Sequence, residues 1–123
     1  MIIEHNVLSK PWGSFINACR NEKNISVKIL NLKEGQRTSL QKHKNRDELW
    51  FCVKGDAIVE VEGKKYSMNE LNSSDAIFVA RSELHRIHAM VDGCTIVEVS
   101  FGKFNEDDIT RVEDDYGRLE VQD

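Results

Sequence analysis

The chain has 123 residues, 40% hydrophobic and 31% charged, with a formal net charge of −4. That length fits one domain with a single core, and the acidic balance argues against general nucleic-acid binding while leaving room for a local basic pocket for an anionic substrate. No apolar stretch reaches membrane-spanning length, and Met1-Ile2-Ile3 runs straight into charged residues rather than into a signal-peptide pattern.

The three cysteines, Cys19, Cys52 and Cys94, form no zinc-ribbon or redox-pair motif. Cys52 and Cys94 sit in apolar runs and read as buried small hydrophobes, which fits a reducing cytoplasm.

In chain order, Lys10-Pro11-Trp12-Gly13 is too short for a secondary-structure assignment; Trp12 either plugs one end of the fold or stacks on the ring of a ligand. From Ile25 to Leu32, apolar Ile25, Val27 and Ile29 alternate with Ser26, Lys28 and Leu30, and Lys33-Glu34-Gly35 turns the chain. Strands follow over Thr38 to His43 and Glu48 to Val53. Lys54-Gly55-Asp56 turns into Ala57 to Glu62, where Ala57, Val59 and Val61 share a face, and Glu62-Gly63-Lys64 is a hairpin signal before Lys65 to Met68. Ala76 to Ala80, His85 to Met90, a turn at Asp92-Gly93 and Cys94 to Phe101 complete the set. Many short strands with a single proline indicate an all-β sandwich or barrel. The charged segment from Asn105 to Asp123 reads as a short helix plus a wrapped loop, or as partly mobile.

Gln41 and His43 are two apart and share a strand face; Lys44-Asn45-Arg46-Asp47 reverses the chain, and Glu48 opens the next strand. An amide oxygen, an imidazole nitrogen and a carboxylate aimed at one point suit a divalent cation of borderline hardness. The same alternation puts Arg37 on the Gln41 face, roughly 13 Å away along the strand. There it is either a phosphate fork or a solvated arginine. Glu98 lies in the apolar strand Thr95 to Val99, where a carboxylate either points outward or is buried with work to do. Trp50 shares the face of Glu48 and reads first as core, second as a sugar contact. His5 reads as a surface residue.

The pattern from Gly35 through Gln41, His43 and Glu48 to Gly55 resembles the first motif of the cupin superfamily, with Gln in place of its first His. The likeness narrows to the cupin domain of type II mannose-6-phosphate isomerases, the domain that often ends bifunctional isomerase/mannose-1-phosphate guanylyltransferases. Lys10 to Phe15 matches that family's opening motif, Gly35 to Glu48 its core, and Glu106 to Arg118 its C-terminal signature. Of the second cupin motif only His85 survives: Ser74, Ala80, Ser82 and Ala89 replace its Gly, Pro, Gly and Asn.

The resemblance implies a cupin double-stranded β-helix (a jelly-roll barrel), with an N-terminal arm over 1–24, the barrel over 25–104 and a C-terminal segment over 105–123. It implies one divalent metal ion on Gln41, His43, Glu48 and His85, with zinc, manganese, iron, cobalt and nickel undistinguished. If His85 points inward, alternation sends His88 outward. Arg46 stands at a family arginine and reaches the mouth of the site, unless it pairs in its turn with Asp47. Arg86 follows the ligand His and either meets substrate or pins the acidic tail at Asp114 or Asp115. Arg111 and Arg118 approach the substrate if the tail folds over the barrel mouth.

The implied reaction interconverts mannose 6-phosphate and fructose 6-phosphate through a cis-enediol, with Arg46 steadying charge and Glu98 as a candidate base. His88, Asp47 and a metal-bound hydroxide are alternatives to Glu98. The competing functions are a different sugar-phosphate isomerase or epimerase, an oxygenase, which the Gln ligand and the Asp-Asp-Tyr-Gly-Arg tail disfavour, and a non-catalytic sugar-binding or regulatory module. The expected partners are a hexose phosphate and a second copy of the chain, with no membrane and no nucleic acid. At 123 residues the chain has no length for a guanylyltransferase domain as well.

Overall fold

A computed structural model describes residues 7–22, 24–72, 75–103 and 105–119. His5 lies outside them, and so does the side chain of Cys19. The strands are β1 (Val7–Lys10), β2 (Gly13–Glu22), β3 (Ile25–Leu32), β4 (Leu40–Lys42), β5 (Arg46–Val61), β6 (Lys64–Asn69), β7 (Ala76–Val79), β8 (His85–Gly102) and β9 (Thr110–Glu113). They form one sheet that runs β1-β2-β3-β8-β4-β9, with β5 attached to β8 and carrying β6 and β7. The all-β barrel expected from the strand spacing is what the chain adopts.

Two pairs of expected strands are each one long, bent strand. β8 runs through Asp92-Gly93, both with positive φ (68° and 74°), instead of turning there. Its first half pairs with Ala57 to Val61 of β5, and its second half is held between β3 and the Arg46 to Gly55 part of β5. The register slips between Gly55 and Ala57, which face Cys94 and Ala89. This is how a β-bulge lets one strand serve two parts of a curled sheet.

Gly55 is needed at that bend. Its φ is +75°, and a Cβ there would collide with the carbonyl oxygen of Gly93. Gly55→Ala is therefore expected to cost about 3 kcal/mol or more; paired urea unfolding curves check this, and unchanged stability would refute the close-approach argument.

The ends of the chain differ most from the sequence reading. β1 and β2 form a hairpin on β3, turning at Pro11 and Trp12, which adds two strands where only an arm is expected. Beyond the barrel the expected helix is absent among the described residues: β9 pairs with β4 and lies across the barrel mouth. The core gathers Trp12, Phe15, Leu30, Trp50, Val59, Ile87, Ile96 and their neighbours, with Cys52 and Cys94 buried as free thiols. Burial also pushes the Cys94 thiol up to about 12, so it is inert.

Candidate metal centre and substrate pocket

Strand alternation at the start of β5 turns Arg46, Glu48 and Trp50 inward and Asp47 outward to Arg81. His43 follows β4, and His85 is the first residue of β8. The loop that delivers His85 lacks the Pro and Gly of the cupin motif yet still turns. Ser82 takes φ +66°, its N–H donates to the His43 carbonyl at 2.7 Å, and the Glu83 carboxylate accepts from the Ala80 N–H at 2.7 Å. Hydrogen bonds replace the conformational bias that glycine and proline would supply.

Both imidazoles are held from behind. Nδ1 of His43 lies 2.7 Å from the carbonyl oxygen of Asp108, and Nδ1 of His85 lies 2.9 Å from that of Glu83. A carbonyl only accepts, so each Nδ1 carries the proton and each Nε2 presents a lone pair. The two Nε2 atoms stand 3.6 and 3.3 Å from Oε1 of Glu48. All three atoms lie within 4.8 Å of one another, on buried side chains. Ligands about 2.1 Å from a shared ion sit roughly 3–3.5 Å apart, which the two distances to Glu48 already approach.

The electrostatics agree. Burial, helped by the nearby Arg46, pushes His43 down to about 4 against the pull of Glu48, so the ring is neutral. Burial alone would raise the Glu48 carboxyl, yet it is held below its ordinary range, and its Oε2 accepts from Arg46 Nε and the Ser100 hydroxyl, which favours the ionised form. Glu48 Oε1 and His85 Nε2 are buried with no hydrogen-bond partner. Two orphaned acceptors facing each other are costly without a cation between them. The cluster therefore fits a divalent metal ion.

Around the cluster, Arg46 donates from Nε to Glu48 Oε2 at 3.2 Å and from Nη2 to His43 Nε2 at 3.2 Å. It points into the site, as the sequence reading has it, rather than pairing with Asp47. Gln41 lines the same cavity, and its Oε1 accepts from the Ser39 hydroxyl at 2.7 Å. Glu98 is buried and faces inward. Its Oε1 accepts from the Trp50 indole N–H at 3.2 Å, and burial together with Glu48 pushes its pKa up to about 8. The outward alternative for Glu98 is thereby excluded. Trp12 and Trp50 are core residues that also border the cavity, and His88 falls on the face opposite His85 and Ile87.

The arginines divide. Arg111 lines the cavity, with a buried Nε that has no hydrogen-bond partner, and Arg118 lines it while paired to Asp114 at 2.9 Å. Arg37 does not lie on the Gln41 side of the strand. The register is irregular between Leu40 and Gln41, Thr38 borders the cavity instead, and Arg37 is clamped by both oxygens of Asp115 at 2.5 and 2.8 Å. Arg86 is also absent from the cavity wall. It pins the tail, though at Glu113 (3.1 Å) rather than at Asp114 or Asp115, while Nε donates to the Thr38 carbonyl. Both are corrections to the reading of these arginines as substrate contacts.

The cavity over the cluster measures about 80 Å³, and residues 105–119 help to close it. Asp108 ties that cover down, accepting from the Lys44 and Asn45 N–H groups at 2.8 and 2.9 Å. A wider groove of about 630 Å³ lies between the turns at Lys54 to Asp56 and Val91 to Thr95. It holds none of the metal-capable cluster, so the chemistry belongs to the smaller cavity. Lys10, Lys28 and Glu106 also border that cavity and are absent from the sequence reading of the site. For Lys28 the sequence signal was slight: it is the one charged residue of β3, beside the polar Ser26 and Asn31.

A family model for the mannose-6-phosphate isomerase C-terminal domain matches residues 2–114. The chain belongs to that family. It is 34% identical over 116 residues to the alginate biosynthesis protein AlgA of Pseudomonas aeruginosa, covering 93% of this chain and 23% of that one. It is 32% identical to a mannose-1-phosphate guanylyltransferase of Sinorhizobium fredii, covering 90% and 21%. The chain thus spans under a quarter of the length of these curated relatives.

Among solved structures, it superposes on KdgF from a Halomonas species with a TM-score of 0.74 at 16% identity, over 83% of this chain and 90% of that one. It superposes on CapF of Staphylococcus aureus at 0.79 and 14% identity, over 92% and 34%. The likeness to oxalate decarboxylase of Bacillus subtilis is 0.74 at 20% identity, over 89% and 30%. At these identities the structures speak to the fold alone, which is the cupin barrel. No helix among the described residues is long and apolar enough to cross a membrane.

Proposed function

We propose that this member of the family is a metal-dependent sugar-phosphate isomerase that interconverts mannose 6-phosphate and fructose 6-phosphate. One observation carries the reading: a buried His43–Glu48–His85 cluster, with Glu48 Oε1 and His85 Nε2 unpartnered, adjoins a second buried carboxyl, Glu98, beside a cavity bordered by cations. His43, Glu48 and His85 would hold a divalent ion, with Gln41 as fourth ligand once its amide oxygen leaves Ser39. Such an ion stabilises negative charge on the C1 and C2 oxygens of an enediolate.

The remaining work falls to the chain itself. Glu98, in its ionised form and oriented by the Trp50 indole, would take the proton from C2 and return it to C1, while the hydroxyl proton passes from O2 to O1. Arg46 keeps Glu48 and His43 aligned and adds positive charge beside the reacting oxygens. The buried surroundings of Trp12, Trp50 and Ile87 limit water, which would otherwise protonate the intermediate. Free thiols and a phosphorylated substrate suit the cytoplasm. The exposed Val7 and Leu8 on edge strand β1 suit contact with a second copy.

A second reading, a non-catalytic metal-containing sugar-binding module, is favoured by the erosion of the second cupin motif around His85; for either reading the cavity must open to admit a sugar. About 80 Å³ is well below the roughly 300 Å³ where small-molecule pockets begin. Metal analysis joined to a coupled assay with mannose 6-phosphate separates the two. Turnover that depends on the metal supports the isomerase; tightly held metal with no turnover of mannose 6-phosphate supports the binding module.

A further inference from the structure

The substrate has two ends, and the metal cluster accounts for only one. On the inner faces, Ser26, Ser100 and Glu48 stand in one cross-strand row, and Lys28, Glu98 and Trp50 in the next. The second row is two residues further along each strand, about 6.6 Å. Lys28 is therefore displaced from Glu48 along the strands, level with Glu98.

The Lys28 side chain is only 10% exposed, and a buried ammonium needs a counter-charge. It has one in Glu106 Oε1, at 3.0 Å, but that carboxylate is 58% exposed and sits in the turn before β9. The Phe15 ring steadies Lys28 at 4.6 Å and brings Lys10 to 5.6 Å from the same ring centre. Arg111 borders the cavity with its unpartnered Nε. Three cations thus gather around a cavity whose covering segment supplies Lys28 with a half-exposed carboxylate.

We infer that Lys28, with Lys10 and Arg111, is the subsite for the phosphate group of the substrate, and that the Glu106 carboxylate occupies it in the free protein. The assignment rests on the sugar-phosphate reading. It explains why the cavity is small as it stands: an internal carboxylate holds the covering segment against Lys28. A phosphate dianion offers more charge and more acceptor oxygens than a carboxylate, so it displaces Glu106 and lets the cover lift.

Calorimetric titration at fixed ionic strength tests this, with inorganic phosphate, mannose 6-phosphate and mannose as probes. The metal-loaded wild type is expected to bind both phosphate-bearing probes. Lys28→Met is expected to weaken them by about tenfold or more while leaving mannose unaffected, and Lys28→Arg to recover most of the loss. Glu106→Gln, at an exposed position that should not disturb folding, is expected to tighten phosphate about three- to tenfold.

Equal phosphate affinity in wild type and Lys28→Met, or no phosphate binding by wild type, overturns the subsite. Unchanged affinity in Glu106→Gln overturns its occupancy by that carboxylate, and this arm decides even if Lys28→Met does not fold. The expected binding pattern without any isomerisation sinks the isomerase and leaves the subsite standing. Isomerisation with an unchanged KM in Lys28→Met does the reverse.

Discussion

His85→Ala is expected to lower divalent-metal affinity by about a thousandfold and to remove isomerase turnover. The imidazole supplies one of three converging donors, and even the loss of an outer-shell partner costs roughly 10–100-fold. Its Nδ1 is already committed to the Glu83 carbonyl, so no other ring atom can substitute. The loss should also appear without any assay of catalysis. Saturating metal at a thousand times its Kd stabilises the wild type by about 4 kcal/mol. The chelated wild type should therefore melt lower and recover when metal returns, whereas His85→Ala should melt at the same temperature with or without it.

Glu48→Gln tests the same centre differently. It keeps an oxygen in place but removes the charge, and it leaves buried Arg46 with a weaker partner. Stability should fall by about 3 kcal/mol or more beside the metal defect. Metal bound equally by wild type, His85→Ala and Glu48→Gln would dispose of the assigned centre.

Glu98→Gln should leave metal content and fold intact and reduce kcat by about 10²–10⁴-fold, the range for losing a positioned acid–base group. The amide oxygen of glutamine still accepts from the Trp50 indole, so packing is conserved while proton transfer is lost. KM should change little, because Glu98 faces the reacting carbons in this reading and not the phosphate. Trp50→Phe should lower kcat less, by about tenfold, through loss of one orienting hydrogen bond. Full activity in Glu98→Gln would remove it as the base. A large rise in KM instead would make it a binding group.

The cluster was unusually legible. His43 and Glu48 lie close in sequence, and the turn between them leaves few ways for their side chains not to meet. His85, 37 positions beyond Glu48, has a motif eroded at four of its positions and was reachable only through the family likeness. Its loop shows why erosion did not matter: Ser82 enters left-handed backbone because the His43 carbonyl and Asp47 hold the turn from outside.

Arg37 and Lys28 failed in opposite ways. Simple alternation carried Arg37 into the site, but the irregularity between Leu40 and Gln41 turns it out toward Asp115. In β3 the more apolar set, Ile25, Val27 and Ile29, alternates with Ser26, Lys28, Leu30 and Leu32, and the second set is the one enclosed. Part of this barrel's interior is polar, so the usual rule that the more apolar face is the buried one fails on this strand.

What the amino-acid order determined alone is the extended character of the chain between Ile25 and Phe101, the all-β barrel it implies and the grouping of His43 with Glu48. Each follows from the two-residue repeat of an extended chain or from short separations, and neither needs knowledge of distant neighbours. Only the tertiary structure decided that Glu98 and Lys28 face inward, that Arg37 and Arg86 fasten the tail, and that residues 105–119 close the mouth with a strand. Those outcomes depend on where bulges shift the register and on which strand each edge meets, and both are settled when the sheet curls and closes.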